Sequence, residues 1–151
     1  MEMVYLANHI KRTVAGPMWH GPALDQVLDG ITASQAAAHP IAKAHSIWEL
    51  VLHMAAWAEI ARARLHGERL ADPSDAENFP PVVATDEAAW TAAVSRLRDA
   101  HRALAHDVRR LDDATLHDKI AGLDYSRSNL LHGVIEHSTY HGGQIALLKK
   151  M

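Results

Sequence analysis

HSTYHGGQI, residues 137–145, places two histidines four apart and follows the second with two glycines. Residues four apart share one face of an α-helix, because each residue turns the chain by about 100°. Measured from His137, the side chains of Leu130, Val134, His141, Gln144 and Leu148 all fall within about 60°. This is a core-facing stripe, and two of its inner positions are histidine. The pattern predicts a last helix from about Arg127 to the C-terminus. His132 lies about 180° from His141 and belongs to another face.

The same helical period recurs upstream. Residues 2–15 read as a first helix, stopped by Gly16 and Pro17. A turn at 18–22 precedes a short helical piece containing LDQVL, which Pro22 is suited to begin. Thr32 with Gln35 makes a capping box for a second short piece that stops before Pro40. Ser46 with Glu49 makes another, opening a helix to about Leu65 or His66. Residues 67–84 carry three prolines and no periodicity, so they read as a long loop of the kind that often caps a site. Thr85, with Asp86 and Glu87 in the first turn, is expected to start the next helix. Its seam is Trp90, Val94, Leu97, His101, Leu104, Val108 and Leu111, and a second loop covers 112–126. Strand-like alternation never exceeds three or four residues. The reading is one all-α domain over residues 1–151: a four-helix bundle with an interrupted first helix and long connecting loops.

Composition narrows the chemistry. The chain has 151 residues, 48% of them hydrophobic, and a net charge of −3, which argues against disorder and against a nucleic-acid-binding polycation. It has no cysteine, so disulfides, thiolate ligands and cysteine nucleophiles are excluded together. No apolar run approaches the roughly 18 residues needed to span a bilayer. The opening MEMVYLANHIKRTVAG lacks the apolar core of a signal peptide. A soluble cytoplasmic protein is the expectation.

Twelve histidines then need placing. On the helix opened at Ser46, His53 lies within about 60° of Leu50, Trp57 and Ile60. Arg64 shares that face, but a long side chain in a last turn is expected to reach water. Each inward imidazole carries a donor and an acceptor that must be satisfied away from water. A divalent cation satisfies three acceptors at once, and His137 with His141 suits two adjacent ligand positions. His53 on a facing helix would complete three, leaving a side open to substrate. The competing reading is neutral histidines hydrogen-bonded in an apolar core, and His101 on its own seam is read that way.

Three further residues are candidates for a catalytic role. Glu49, about 40° from His53, could support a ligand, although its capping box already occupies it. Gln144 could orient a ligand ring or a bound water, Tyr140 reads as half-buried, and His20 in the turn could touch substrate. The turn at 19–22 and the loop at 67–84 are the expected pocket walls. Gly142 and Gly143 project away from the ligand direction, and close approach of another helix or subunit is the expected reason for them. Zinc peptidases place glutamate after the first histidine; here that residue is Ser138, which disfavours peptidase chemistry.

HSIWELVLHMAAW at 45–57 together with LLHGVIEHSTYHGGQIALLKK at 130–150 resembles the DinB/YfiT-like superfamily of metal-binding four-helix bundles. GPMWHGPALDQVLDGITASQAAAHPIAKAHS and DEAAWTAAVSRLRDAHRALAHDV resemble the remainder, so the likeness spans nearly the whole chain. The resemblance implies that His53, His137 and His141 hold a divalent metal, nickel or zinc, with an open position. It also implies a small-molecule substrate and a homodimer. Relatives include thiol-dependent S-transferases and an isomerase that use low-molecular-weight thiols such as bacillithiol or mycothiol. Others are classed as metal-dependent hydrolases or as damage-inducible proteins of unknown activity. The expected function is a metal-dependent thiol transferase or hydrolase, with a non-catalytic metal-binding or interaction bundle as the alternative. Three imidazoles suit zinc, nickel, copper and iron(II), so the residues themselves do not choose the ion.

Overall fold

The computed structural model describes residues 1–68 and 71–151. Arg69 and Leu70, inside the expected loop, lie outside the described residues. The architecture is all-α. Among the described residues the helices are α1 (Glu2–Ala15), α2 (Leu24–Leu28), α3 (Ala33–Ala37), α4 (Ile47–Leu65), α5 (Asp75–Asn78), α6 (Glu87–Val108) and α7 (Arg127–Leu148), with a 3-10 turn at Asp113–Thr115. Four of them, α1, α4, α6 and α7, form the bundle. α4 packs on α6 and α7, and α1 packs on the same two, so the ring order is α1–α6–α4–α7. α2 and α3 interrupt the crossing from α1 to α4 and seal one end of the core.

The helix starts follow local chemistry. Ser46 Oγ accepts from the Glu49 backbone N–H at 3.2 Å, while Glu49 returns a bond to the Ser46 N–H at 2.7 Å. Thr32 and Gln35 do the same for α3. α6 is capped by Asp86, whose carboxylate accepts from Ala89 N–H at 2.9 Å, rather than by Thr85. An ionised acceptor at a helix N-terminus outcompetes a neutral hydroxyl, and the register shifts by one residue. Glu87 reaches across to accept from the Ala33 N–H at 2.9 Å, tying α6 to α3. Gly16, at φ 75°, ends α1 where a side chain would be strained. The long loop contains a helical turn that periodicity does not reveal: Ser74 and Glu77 cap α5 over only four residues.

Apolar burial falls into two clusters. One gathers Leu24, Trp48, Val51, Met54, Trp90, Leu97 and Ile145. The other gathers Leu6, Ile10, Ala58, Leu104, Val108, Leu131 and Val134. Between them along α4, α6 and α7 lie His53, His101, His137, Ser138 and His141, a polar layer across the bundle. Gly142 answers part of the question about the glycine pair. A Cβ there would sit 3.2 Å from Leu24 Cδ2, a tight contact that Leu24 of α2 would have to yield to. Gly143 is exposed and a Cβ would meet nothing within 4 Å, so packing within the chain does not explain it.

A candidate metal centre

α4 carries His53 into the polar layer, and the neighbouring helix α7 carries His137 and His141. The three Nε2 atoms converge: His53 to His137 at 2.8 Å and His141 to His137 at 3.1 Å. Nothing else in the described residues groups three or more histidine, cysteine or acidic side chains in this way. The outer nitrogens are accounted for. His53 Nδ1 donates to the Asn78 backbone carbonyl at 2.6 Å, and His141 Nδ1 donates to Gln144 Oε1 at 2.6 Å. A carbonyl oxygen accepts only, so each ring proton sits on Nδ1 and each Nε2 presents a lone pair.

That arrangement is frustrated without a cation. Two unprotonated nitrogens face His137 Nε2, which has at most one proton to share. Adding protons is disfavoured. Burial first, then the neighbouring His141, His53 and His101, push His137 down to about 3. Burial likewise lowers His53 and His141 from the usual imidazole value. The three rings are therefore neutral donors at neutral pH, the form that binds metal. A zinc–nitrogen bond of about 2.0–2.1 Å lets two ligands of one ion stand up to roughly 4.2 Å apart. Adjacent ligands of one ion at that bond length stand roughly 2.9–3.4 Å apart, and separations of 2.8 and 3.1 Å lie close to that span, so the three residues could hold a divalent ion.

Surrounding side chains lock the rings. Phe79 stacks on His53 at 4.0 Å between ring centres, and its other face meets His45 at 3.7 Å. Trp57 stands edge-on to His53 and His137 and donates from Nε1 to Asn78 Oδ1 at 2.8 Å. Asn78 and Phe79 come from the 67–84 segment and pack against His53, although neither of the two cavities beside the triad has a described lining residue from it. Beside His137 opens a cavity of about 440 Å³, lined by Trp57, Arg64, Tyr125, Leu130 and Val134 among others. A second, of about 370 Å³, borders His141 and His45.

The profile of the DinB superfamily matches residues 19–145. The chain belongs to the DinB superfamily. No curated protein and no solved structure matches it. Within this DinB bundle the other candidates are placed as follows. Glu49 is held by its cap and by His39 and His45, at 3.1 and 3.4 Å. Burial works to raise its pKa, but the Ser46 N–H and His39 outweigh it and hold the carboxyl below the usual range. Gln144 orients the His141 ring, the role its helical position suggests. Its amide also donates to the Tyr140 hydroxyl at 3.1 Å, and Tyr140 is exposed rather than half-buried. His20 is exposed and lines a separate cavity, beside Leu24 and Gly142, that includes none of the three histidines. The 19–22 turn therefore walls that cavity and not the triad.

Arg64 departs most from expectation. It is only 4% exposed. Its guanidinium lies 5.6 Å from the Trp57 ring centre and donates to the Tyr125 hydroxyl at 2.6 Å and to Asp72 at 3.0 Å. The last-turn position suggested a route to water; the 67–84 segment and Tyr125 close over it instead. His101 holds to its expected role. Its Nδ1 donates to Leu97 O at 3.0 Å, and its Nε2 accepts from Ser138 Oγ at 2.9 Å.

Proposed function

We propose that the protein is a metal-dependent enzyme that transfers a low-molecular-weight thiol to a small electrophile. The observation that carries the reading is the convergence of three Nε2 atoms beside an open, mostly apolar cavity whose described lining includes no carboxylate. His53, His137 and His141 would hold the ion. A divalent ion, zinc or nickel, supplies Lewis acidity that lowers the pKa of a thiol approaching its open side. His53 and His141 keep their ligand nitrogens deprotonated because Asn78 and Gln144 fix the proton on the other side of each ring. Phe79 and Trp57 pack on the His53 and His137 rings and shield one side of the triad. The absence of a carboxylate among the described cavity-lining residues favours a nucleophile brought by the substrate over one that needs a protein base.

Hydrolysis of a small substrate is the second reading, and one observation favours it. His45, backed by Glu49 at 3.4 Å, lines the cavity that borders His141 and could serve as a base there.

The test is an assay of zinc- and nickel-loaded protein with bacillithiol or mycothiol and chlorodinitrobenzene, beside nitrophenyl acetate without thiol. Thiol consumption that requires metal and disappears in His137→Ala supports transfer. Ester cleavage alone, reduced in His45→Ala, supports hydrolysis. Tight metal binding with no turnover of either substrate would leave a non-catalytic metal-binding bundle.

A further inference from the structure

Arg64 is a buried cation whose accounting does not close among the described residues, although its Nη2 also donates to the Ala71 carbonyl at 3.4 Å. Its Nε has no hydrogen-bond partner among the described residues, and the carboxylate that meets it, Asp72, is 93% exposed. An exposed carboxylate stabilises a buried guanidinium weakly, because water and side-chain entropy offset the attraction. Arg64 nevertheless lines the 440 Å³ cavity whose other end is His137. Tyr125 lines it too, and because its oxygen accepts from Arg64 Nη1, its own O–H proton is left to donate. The rest of the lining is Trp57, Leu130, Gly133 and Val134, with Asn129 the one further polar side chain among the described residues. The cavity therefore has a cationic, donor-rich end, an apolar middle and the triad.

We propose that Arg64 and Tyr125 form a carboxylate-binding subsite, and that the substrate is an organic acid with an apolar body lying between this subsite and the triad. This rests on the triad being the active centre; it adds which class of molecule the cavity selects. The guanidinium presents a planar fork that suits a carboxylate, and burial makes that pairing stronger than it would be in water. A volume of about 440 Å³ suits a small acid with one ring or a short chain. Asp72, the exposed carboxylate that Arg64 meets in the protein, is the competitor that the substrate carboxylate displaces.

The competition supplies a test whose sign a purely structural arginine would not give. Zinc-loaded protein is titrated calorimetrically with phenylbutyrate and, separately, with the neutral phenylbutanol, and metal content is measured on the same samples. The wild type is expected to bind the acid about tenfold or more tighter than the alcohol. Asp72→Asn, at an exposed position, is expected to tighten the acid severalfold and leave the alcohol unchanged. Arg64→Lys keeps part of the preference and Arg64→Met loses it. Equal affinity for acid and alcohol in the wild type, or no gain in Asp72→Asn, overturns the subsite even if Arg64→Met fails to fold. Metal uptake without acid preference rejects the subsite and leaves the metal reading standing. Acid preference in protein that takes up no metal keeps the subsite and rejects the enzyme reading.

Discussion

His101 and His137 stand on helices of the same bundle, each replacing an apolar residue on an inward stripe, and burial lowers the pKa of both. Their nitrogens are spent differently. His101 gives Nδ1–H to a carbonyl and takes a hydroxyl proton at Nε2, so one neutral tautomer satisfies the ring completely. His137 directs Nε2 at two other nitrogens whose protons are committed elsewhere. Burial and pKa do not separate a core histidine from a ligand here. A count of donors and acceptors does: the His101 site closes within the protein, whereas the triad keeps an Nε2 lone pair that no protein donor takes and a divalent cation could.

The largest consequence concerns zinc-dependent stability. Zinc at a hundredfold excess over its dissociation constant should stabilise the wild type by about 2.7 kcal/mol, and His137→Ala should lose that response. Melting curves with and without zinc read this directly, and His101→Leu should keep it. A zinc response in His137→Ala as large as in the wild type would erase the distinction between the two sites.

Acidity sharpens the comparison in metal-free protein. His53, His101, His137 and His141 all have depressed values when folded, and unfolded imidazole titrates near about 6.5. Below that value the unfolded chain binds more protons than the folded one. Stability is thus full above about pH 6.5 and falls as pH drops below it, onward toward the His137 value of about 3. Denaturant titrations at about pH 7 and about pH 5 should show a smaller loss for His137→Ala than for the wild type. Equal losses would mean that His137 is not the strained member.

His101→Leu should cost the metal-free protein about 1–3 kcal/mol, because the Ser138 hydroxyl is left without its partner. Adding Ser138→Ala should recover part of that, and metal uptake should stay at the wild-type level in both. A loss of metal in His101→Leu would place His101 in the site after all. The smallest effect is at the ring-orienting residue. Gln144→Ala should weaken zinc binding by roughly tenfold, measured by competition with a chelator, and leave the fold intact.

Much of this was legible in the sequence, for identifiable reasons. Ser46 with Glu49 and Thr32 with Gln35 announce helix starts because the capping bonds are local. His53, His137 and His141 share inward faces because helical periodicity is a property of the chain alone. What escaped depends on contacts distant in sequence. Asn78 and Phe79 reach His53 from a segment without periodicity, so neither the tautomer lock nor the aromatic lid had a signal. Arg64 was expected to reach water because its burial depends on Tyr125, 61 residues away. Thr85 and Asp86 are both good caps, and the ionised Asp86 takes the helix start one residue later than the hydroxyl would. His20 sits next to α7 in space but on the Gly142 side, and turn residues carry no facial information.

The central claim is that these three rings close their accounts through one ion. Elemental mass spectrometry on untagged wild type, His53→Ala, His141→Ala and His101→Leu, each reconstituted with zinc or nickel, tests it most directly. The account predicts about one divalent ion per chain in the wild type and in His101→Leu, and its loss from the two triad variants. No metal in the reconstituted wild type, or undiminished metal in His53→Ala, would contradict it.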